Sequence, residues 1–132
     1  MSKIHVVVVD DDEVVRHNIS KKLSRLNCDV QIFESGEALI EFLLSQHHEP
    51  DLILLDYQMR EMNGVETLKS IRKFSSVPAV IFTAYAGYIN LQEIKKLGRC
   101  DVMLKTVDLD ILNSMINGAL AIKRIQTINK ED

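Results

Sequence analysis

Several features that mark secreted, membrane-spanning or disulfide-stabilised proteins are missing from this sequence. Its only cysteines, Cys28 and Cys100, are far apart and form no Cys-x-x-Cys pair, so we expect reduced, buried thiols. The apolar run at residues 6–9 is far shorter than the roughly 20 residues that span a bilayer. The first residues lack the apolar core of a signal peptide. We therefore expect a cytoplasmic protein with no membrane contact.

The sequence also has little excess charge. It carries 16 lysines and arginines against 19 aspartates and glutamates, a formal net charge of -3. This balance gives no support for a nucleic-acid surface, so we expect no direct nucleic-acid partner. With 132 residues, of which 46% are hydrophobic, the chain fits one globular domain that needs no disulfide or structural metal. One domain must then act alone or pass its output to a partner.

Short apolar runs alternate with amphipathic segments along the whole chain. The apolar runs predict strands at 4–9, 29–33, 52–55, 79–82 and 102–104. Apolar residues at helical spacing predict helices at 13–26, 36–45, 65–74, 89–97 and from 108 onward. This alternation indicates βαβ units and an α/β fold, a five-stranded doubly wound parallel sheet with helices on both faces. Such sheets bind ligands at the carboxyl ends of their strands.

Polar side chains suited to chemistry directly follow four of the predicted strands. They are Asp10, Asp11, Asp12, Asp56, Thr83 and Lys105. Singly, each has an ordinary structural explanation, such as a helix cap, a turn or a solvated charge. Together they meet at one edge, where repulsion between carboxylates is offset by a hard cation such as Mg²⁺. A lysine and a threonine beside that cation suit an anion, and this combination indicates phosphoryl transfer.

In order and spacing these residues resemble the receiver domain of two-component response regulators. The matching segments are Val-Val-Asp-Asp-Asp-Glu at 8–13, Pro-Asp-Leu-Ile-Leu-Leu-Asp at 50–56, Met59, Met-Asn-Gly at 62–64, Phe-Thr-Ala at 82–84 and Leu-Lys at 104–105. The resemblance covers residues 4 to about 122. It implies a flavodoxin-like fold with sheet order 2-1-3-4-5 and five helices. It assigns residues 1–122 to the receiver domain and 123–132 to a C-terminal helix extension or tail.

The resemblance implies that Asp56 is a phosphoacceptor. The donor would be a phosphohistidine on a sensor histidine kinase or a histidine phosphotransfer protein. Thr83 would donate a hydrogen bond to one phosphoryl oxygen, and Lys105 would pair with another. Such a protein is expected not to be an enzyme, but a phosphoacceptor that assists its own phosphorylation and dephosphorylation. The bulky Tyr85, two residues after the threonine, would shield the acyl phosphate from water.

The resemblance also implies an Mg²⁺ site beside the phosphoacceptor. Asp11 would bind the cation directly and Asp10 through water, together with Asp56 and the backbone carbonyl of Gln58. Asp12 follows the acidic pair and is expected to cap the first helix.

The signal is expected to leave through the fourth helix, the fifth strand and the fifth helix, toward a downstream protein or a second copy of the chain. An effector outside this sequence is the other possible recipient. Three positions depart from the family pattern. Thr106 stands where a proline with a cis bond is usual, Arg60 stands where a proline often follows Met59, and Val102 replaces a switching aromatic residue.

Two other functions fit parts of the sequence. A phosphatase of the haloacid dehalogenase type would use Asp10 as nucleophile and Asp12 as general acid, but it leaves Asp56 and its flanking motif unexplained. A phosphorylation-independent pseudo-receiver, acting as a binding module, fits the missing proline and aromatic residue. The complete set of aspartates, threonine and lysine favours the phosphorylated switch.

Overall fold

The apolar runs form one parallel sheet. The computed structural model describes residues 3–46, 48–84, 87, 89–105 and 108–131. Its strands are β1 (Ile4–Val9), β2 (Cys28–Phe33), β3 (Leu52–Asp56), β4 (Ala79–Thr83) and β5 (Cys100–Leu104). Its helices are α1 (Glu13–Arg25), α2 (Gly36–Ser45), α3 (Gly64–Ile71), α4 (Leu91–Lys96) and α5 (Leu109–Glu131). The strand order β2-β1-β3-β4-β5, with every pairing parallel, confirms the predicted sheet.

Alternate residues of the central strands form two cores, one on each face of the sheet. On one face Val6, Val8 and Leu54 pack with α1 and α5. On the other face Val7 and Ile53 pack with α2, α3 and α4. Strands buried on both faces carry continuous apolar runs because each successive side chain enters a different core. The three-layer arrangement places the carboxyl ends of all five strands at a single edge.

Polar side chains just before four helices fix where those helices begin. Asp12 caps α1 and Ser35 caps α2 through main-chain N–H groups of the first turn. Asn63 forms a capping box with Glu66, so α3 begins at Gly64. Asn90 accepts hydrogen bonds from the next turn, so α4 begins at Leu91 rather than at the predicted residue 89. A cap residue has extended backbone angles and excludes helix before it.

Two further predicted elements have an end that lies two or more residues from its predicted position. β5 begins at Cys100, two residues before the predicted start, because Cys100 and Asp101 pair with the first residues of β4. The α3 helix ends at Ile71, three residues before the predicted end. Residues 72–74 form turns instead, which lead the chain back toward β4.

The Arg72 side chain joins the end of α3 to the turn between α4 and β5. Its guanidinium group donates hydrogen bonds to the main-chain carbonyls of Ser75, Leu97, Gly98 and Arg99, at distances from 3.0 to 3.2 Å. The turn that it holds contains Gly98 and Arg99, both with positive φ. Burial lowers the pKa of Arg72 below its ordinary value. Arg72 thus anchors this turn at the amino edge of the sheet.

The last helix packs on the sheet through its first half. Leu112 and Ile116 are buried in the core, whereas Ile125 is exposed. The boundary predicted after residue 122 lies within the continuous helix and stays a prediction. Among the helices of the described residues, none combines the length and apolarity that crossing a membrane requires.

Candidate functional site

The structure brings together the carboxylates of Asp10 and Asp11, which follow β1, and of Asp56, the last residue of β3. Because these strands are neighbours, Asp10 and Asp56 lie at adjacent carboxyl ends. Asp10 is fully buried and Asp56 is 3% exposed, whereas Asp11 is exposed. One carboxylate oxygen from each of the three lies within 4.8 Å of the others. Such a cluster of negative charge is costly unless a cation balances it.

Lys105, at the end of β5, supplies one positive charge to this cluster. Its Nζ lies 3.1 Å from Asp10 Oδ2 and 3.1 Å from Asp56 Oδ1. Its main-chain N–H donates to the carbonyl of Thr83 at 2.7 Å, which ties the ends of β5 and β4 together. Nζ also lies 5.3 Å from the centre of the Phe82 ring. Burial alone would lower the pKa of Lys105, but the carboxylates of Asp56 and Asp10 outweigh it, and the pKa is raised.

The pKa of Asp56 is raised from an ordinary 3.8 to about 6. Burial is the largest cause, followed by the negative charge of Asp10. Lys105 acts in the opposite direction but does not cancel these two effects. A buried carboxylate with an elevated pKa is stabilised by a nearby cation or by protonation.

Asp10 has one oxygen whose hydrogen-bonding capacity is unused. Its Oδ1 accepts the main-chain N–H of Asp12 at 2.8 Å. Its buried Oδ2 faces the Lys105 ammonium but has no aligned hydrogen-bond donor among the described residues. Arg16 donates to the main-chain carbonyl of Asp10 at 2.6 Å and so fixes the backbone that carries this carboxylate. An unsatisfied buried oxygen within a set of hard oxygen donors fits an Mg²⁺ site.

Asp12 does not join the cluster, and its role as a cap is confirmed. Its carboxylate accepts hydrogen bonds from the main-chain N–H groups of Val14 and Val15. The dehalogenase interpretation needs this residue as a general acid facing the substrate. In the structure the same carboxylate is committed to the first turn of α1.

The remaining predicted residues lie around the same edge. Thr83 is buried at the end of β4, the neighbour of β3. Gln58 is exposed in the loop after β3, and the role of its carbonyl stays a prediction. Two predicted positions, Tyr85 and Thr106, lie outside the described residues. The same holds for the peptide bond between Lys105 and Thr106.

Two further residues, Arg60 in the loop after β3 and Gly64 at the start of α3, make contacts at the site that the sequence did not predict. Arg60 donates its main-chain N–H to Asp11 Oδ2 at 3.2 Å. Gly64 packs so closely on the end of β3 that an added Cβ would lie 2.5 Å from the main-chain oxygen of Asp56. The Asn-Gly pair at 63–64 could have signalled the close approach. No signal in the sequence could have located a hydrogen bond made by the main chain of Arg60.

Both cysteines are free thiols, as predicted. Cys28 is buried, but Cys100 is only partly buried, which corrects the expectation that both are enclosed. Burial raises the pKa of Cys28 and raises that of Cys100 to about 11. Neither thiol is therefore activated as a nucleophile near neutral pH.

Comparison with protein families gives one match that covers most of the chain. Residues 6–117 match the model of the response regulator receiver domain. The regulatory protein AtoC of Escherichia coli (strain K12) is 30% identical over 127 residues, which are 96% of this chain and 26% of AtoC. The transcriptional regulatory protein ZraR of the same strain is 34% identical over 119 residues, 89% of this chain and 26% of ZraR. The chain thus spans about a quarter of the length of these curated relatives.

Solved structures support the same fold. A receiver domain from Clostridium thermocellum superposes with a TM-score of 0.83 at 22% identity, over 92% of this chain and 98% of that one. A CheY-like receiver domain from Methylobacillus flagellatus gives a TM-score of 0.79 at 15% identity, over 89% and 99% of the two chains. At these identities the likeness establishes the fold alone.

Proposed function

The chain belongs to the response regulator receiver domain family, and from this premise we propose that it is a phosphorylation switch whose phosphoacceptor is Asp56. The phosphoryl donor is a phosphohistidine on a sensor histidine kinase or a histidine phosphotransfer protein. The observation that carries the proposal is the position of Lys105 Nζ, 3.1 Å from both Asp10 and Asp56. This geometry places a positive charge beside the carboxylate that would receive a dianionic group.

In the proposed reaction, a carboxylate oxygen of Asp56 attacks the phosphorus atom of the phosphohistidine. An oxygen–phosphorus bond forms, the nitrogen–phosphorus bond breaks, and the leaving imidazole nitrogen takes a proton from solvent. Lys105 neutralises charge on the phosphoryl oxygens, and Thr83, at the next strand end, donates a hydrogen bond to one of them. Catalysis of this kind is mostly positioning and charge neutralisation. The chain is thus a phosphoacceptor that assists its own modification and not an enzyme with a separate substrate.

We propose that Asp10, Asp11 and Asp56, with the main-chain carbonyl of Gln58, hold Mg²⁺ beside the acceptor. The cluster of carboxylate oxygens and the unsatisfied Oδ2 of Asp10 support this assignment. When bound, the cation offsets the negative charge of the carboxylates and of the transferred phosphoryl group. Asp11 is exposed and can bind it without desolvation of a buried group, whereas Asp10 is held in place by the hydrogen bond from Asp12.

The experiment that tests the proposal uses acetyl phosphate as a small phosphoryl donor. With Mg²⁺ present, the wild-type protein is expected to gain the mass of one phosphoryl group, and peptide mapping after borohydride reduction places it on Asp56. The Asp56→Asn variant is expected to gain none that is stable. Asp51→Asn is the matched control, since Asp51 lies at the amino end of β3, where its carboxylate accepts the main-chain N–H of His5.

Two results would contradict the proposal. One is stable phosphorylation of Asp56→Asn. The other is a wild-type protein that takes up neither the phosphoryl group nor beryllofluoride with Mg²⁺, which would support the pseudo-receiver instead.

The output is proposed to leave through α4, β5 and α5. Leu91, Leu104 and Ile111, one from each element, are each about half exposed and so are available for contact with a partner. A downstream protein or a second copy of the chain would cover them in the cytoplasm. Because the curated relatives are about four times longer, an effector elsewhere in a longer protein is a further possible recipient.

A further inference from the structure

The loop after β3 offers a main-chain donor to the carboxylate of Asp11. The N–H of Arg60 lies 3.2 Å from Asp11 Oδ2, across 49 positions of sequence. Asp11 is exposed, so its side chain would otherwise be free to turn into solvent. This contact exists because position 60 is not proline, the residue often found there in the family, since proline has no main-chain N–H.

A tight turn begins at the residue that carries this N–H group. Met62 N–H donates to the carbonyl of Arg60 at 2.7 Å, which closes a three-residue turn centred on Glu61. Glu61 has a φ of 65°, a conformation that residues other than glycine rarely adopt. Asn63, two residues after Glu61, caps α3 and fixes the far end of the loop. The main chain that follows the Arg60 N–H is therefore constrained by hydrogen bonds.

We propose that the main-chain N–H of Arg60 is a positioning group for the Mg²⁺ site, an inference that rests on the function proposed above. By holding Asp11 through Oδ2, it keeps Oδ1 available to the cation and keeps the carboxylate near Asp10 and Asp56. Hydrogen bonds to a ligating carboxylate restrict its rotation, so less conformational freedom is lost when the metal binds. The Arg60 side chain is exposed and is not needed for this role.

Two variants separate the N–H group from the side chain. Arg60→Ala keeps the donor, and Arg60→Pro removes it. Both lose the guanidinium charge, so the difference between them reports the lost N–H group together with the backbone restriction that proline imposes. We expect Arg60→Pro to bind Mg²⁺ about threefold to tenfold more weakly than Arg60→Ala, below or at the lower end of the effect usual for such outer contacts. The dissociation constants are measured by titration of the ¹⁵N-labelled proteins with MgCl₂.

If residue 60 only stabilised the fold, the two variants would differ in their unfolding midpoints without metal. We expect equal unfolding midpoints for the two variants without metal. With acetyl phosphate, we expect Arg60→Pro to be slower than Arg60→Ala at limiting Mg²⁺ and equally fast at saturating Mg²⁺. Equal dissociation constants within twofold, or a deficit that persists at saturating Mg²⁺, would overturn the inference while leaving the phosphorylation of Asp56 intact. A wild-type protein that binds no Mg²⁺ would overturn both.

The amide proton of Arg60 gives a second measurement that does not depend on the folding of the proline variant. In the wild-type protein we expect it to exchange with solvent more slowly than the amides of other exposed loop residues, both without and with Mg²⁺. Exchange at the rate of an unprotected amide would show that the hydrogen bond does not persist, and would also overturn the inference.

Discussion

At the scale of single residues, the site holds a carboxylate in an environment that opposes its ionisation. Asp56 is buried beside Asp10, and its pKa of about 6 exceeds the ordinary 3.8 in spite of Lys105. The folded protein therefore binds more protons than the unfolded chain between about pH 4 and pH 6. In the absence of metal, the free energy of unfolding should therefore rise as the pH falls through this range. Above about pH 6, where Asp56 is ionised in the folded protein, its destabilising effect should be complete.

This difference predicts the behaviour of Asp56→Asn, which has no ionisable group at this position. In EDTA at pH 7.5, we expect the variant to be more stable than the wild type by about 3 kcal/mol, the order of magnitude that corresponds to a pKa shift from 3.8 to about 6. The advantage should shrink steadily toward pH 4. Urea unfolding of both proteins at several pH values measures it, and a gain that is the same at pH 4.5 and pH 7.5 would contradict this origin.

Reasoning from the sequence located most of the site residues but not how each is held. The strand ends identified Asp10, Asp56, Thr83 and Lys105 because a parallel sheet brings carboxyl ends to one edge. Whether Oδ2 of Asp10 has an aligned hydrogen-bond donor depends on the path of the main chain after β1 and on the rotamer of Lys105. Such details are set by tertiary packing, which residue type and spacing do not encode.

At the scale of the elements, the close approach of α3 to β3 depends on a residue without a side chain. Gly64 is the first residue of α3, and its N–H donates to the carbonyl of Tyr57 at 2.9 Å. A Cβ at this position would meet the main-chain oxygen of Asp56 at 2.5 Å. Since that oxygen belongs to the backbone, the strand end or the helix would have to move.

We predict that Gly64→Ala destabilises the protein by about 1–3 kcal/mol, the usual cost of overpacking, and also slows phosphorylation of Asp56. Gly118→Ala is the matched control, because nothing lies within 4 Å of its added Cβ in α5. That change should stabilise the protein by up to about 1 kcal/mol through helix propensity. Urea unfolding and acetyl phosphate uptake measure both effects, and equal stabilities for the two variants would contradict the prediction.

All five strands and all five helices were predicted from periodicity, but several of their ends were not. Local caps could be found by inspection, as Asp12 shows. The start of β5 could not, because Cys100 and Asp101 become strand only through pairing with Ala79 and Val80. An edge strand is defined by its partner, and a partner distant in sequence leaves no local pattern.

At the scale of the whole molecule, the apolar side chains left exposed are distributed over several surfaces. Ile111 lies on α5, within the proposed output face, and Ile32 lies on the edge strand β2, outside it; both are 49% exposed. Exposure alone therefore does not identify an output surface. The proposed face is distinguished by its neighbour, the loop that follows Thr83.

Addition of beryllofluoride and Mg²⁺ is expected to change amide chemical shifts in two regions of the wild-type protein. One is the site itself, and the other is α4, β5 and the first half of α5. The amides around Ile32 should change little. The Asp56→Asn variant serves as the control and should show neither set. Changes confined to the site, or concentrated on β2 and α1, would place the output elsewhere.

The five hydrogen bonds of Arg72 have a mechanical consequence for this face. Four of them fasten the turn after α4 to the end of α3, at the edge of the sheet opposite Asp56, and the fifth reaches Ser75. The other end of α4 follows the loop beyond Thr83. Because the end of α4 near Arg72 is held in place, this helix can tilt but cannot move along its axis. A structural change at the edge of the sheet that carries Asp56 would therefore alter the direction of α4 about Arg72, and a partner bound to this face would detect that tilt.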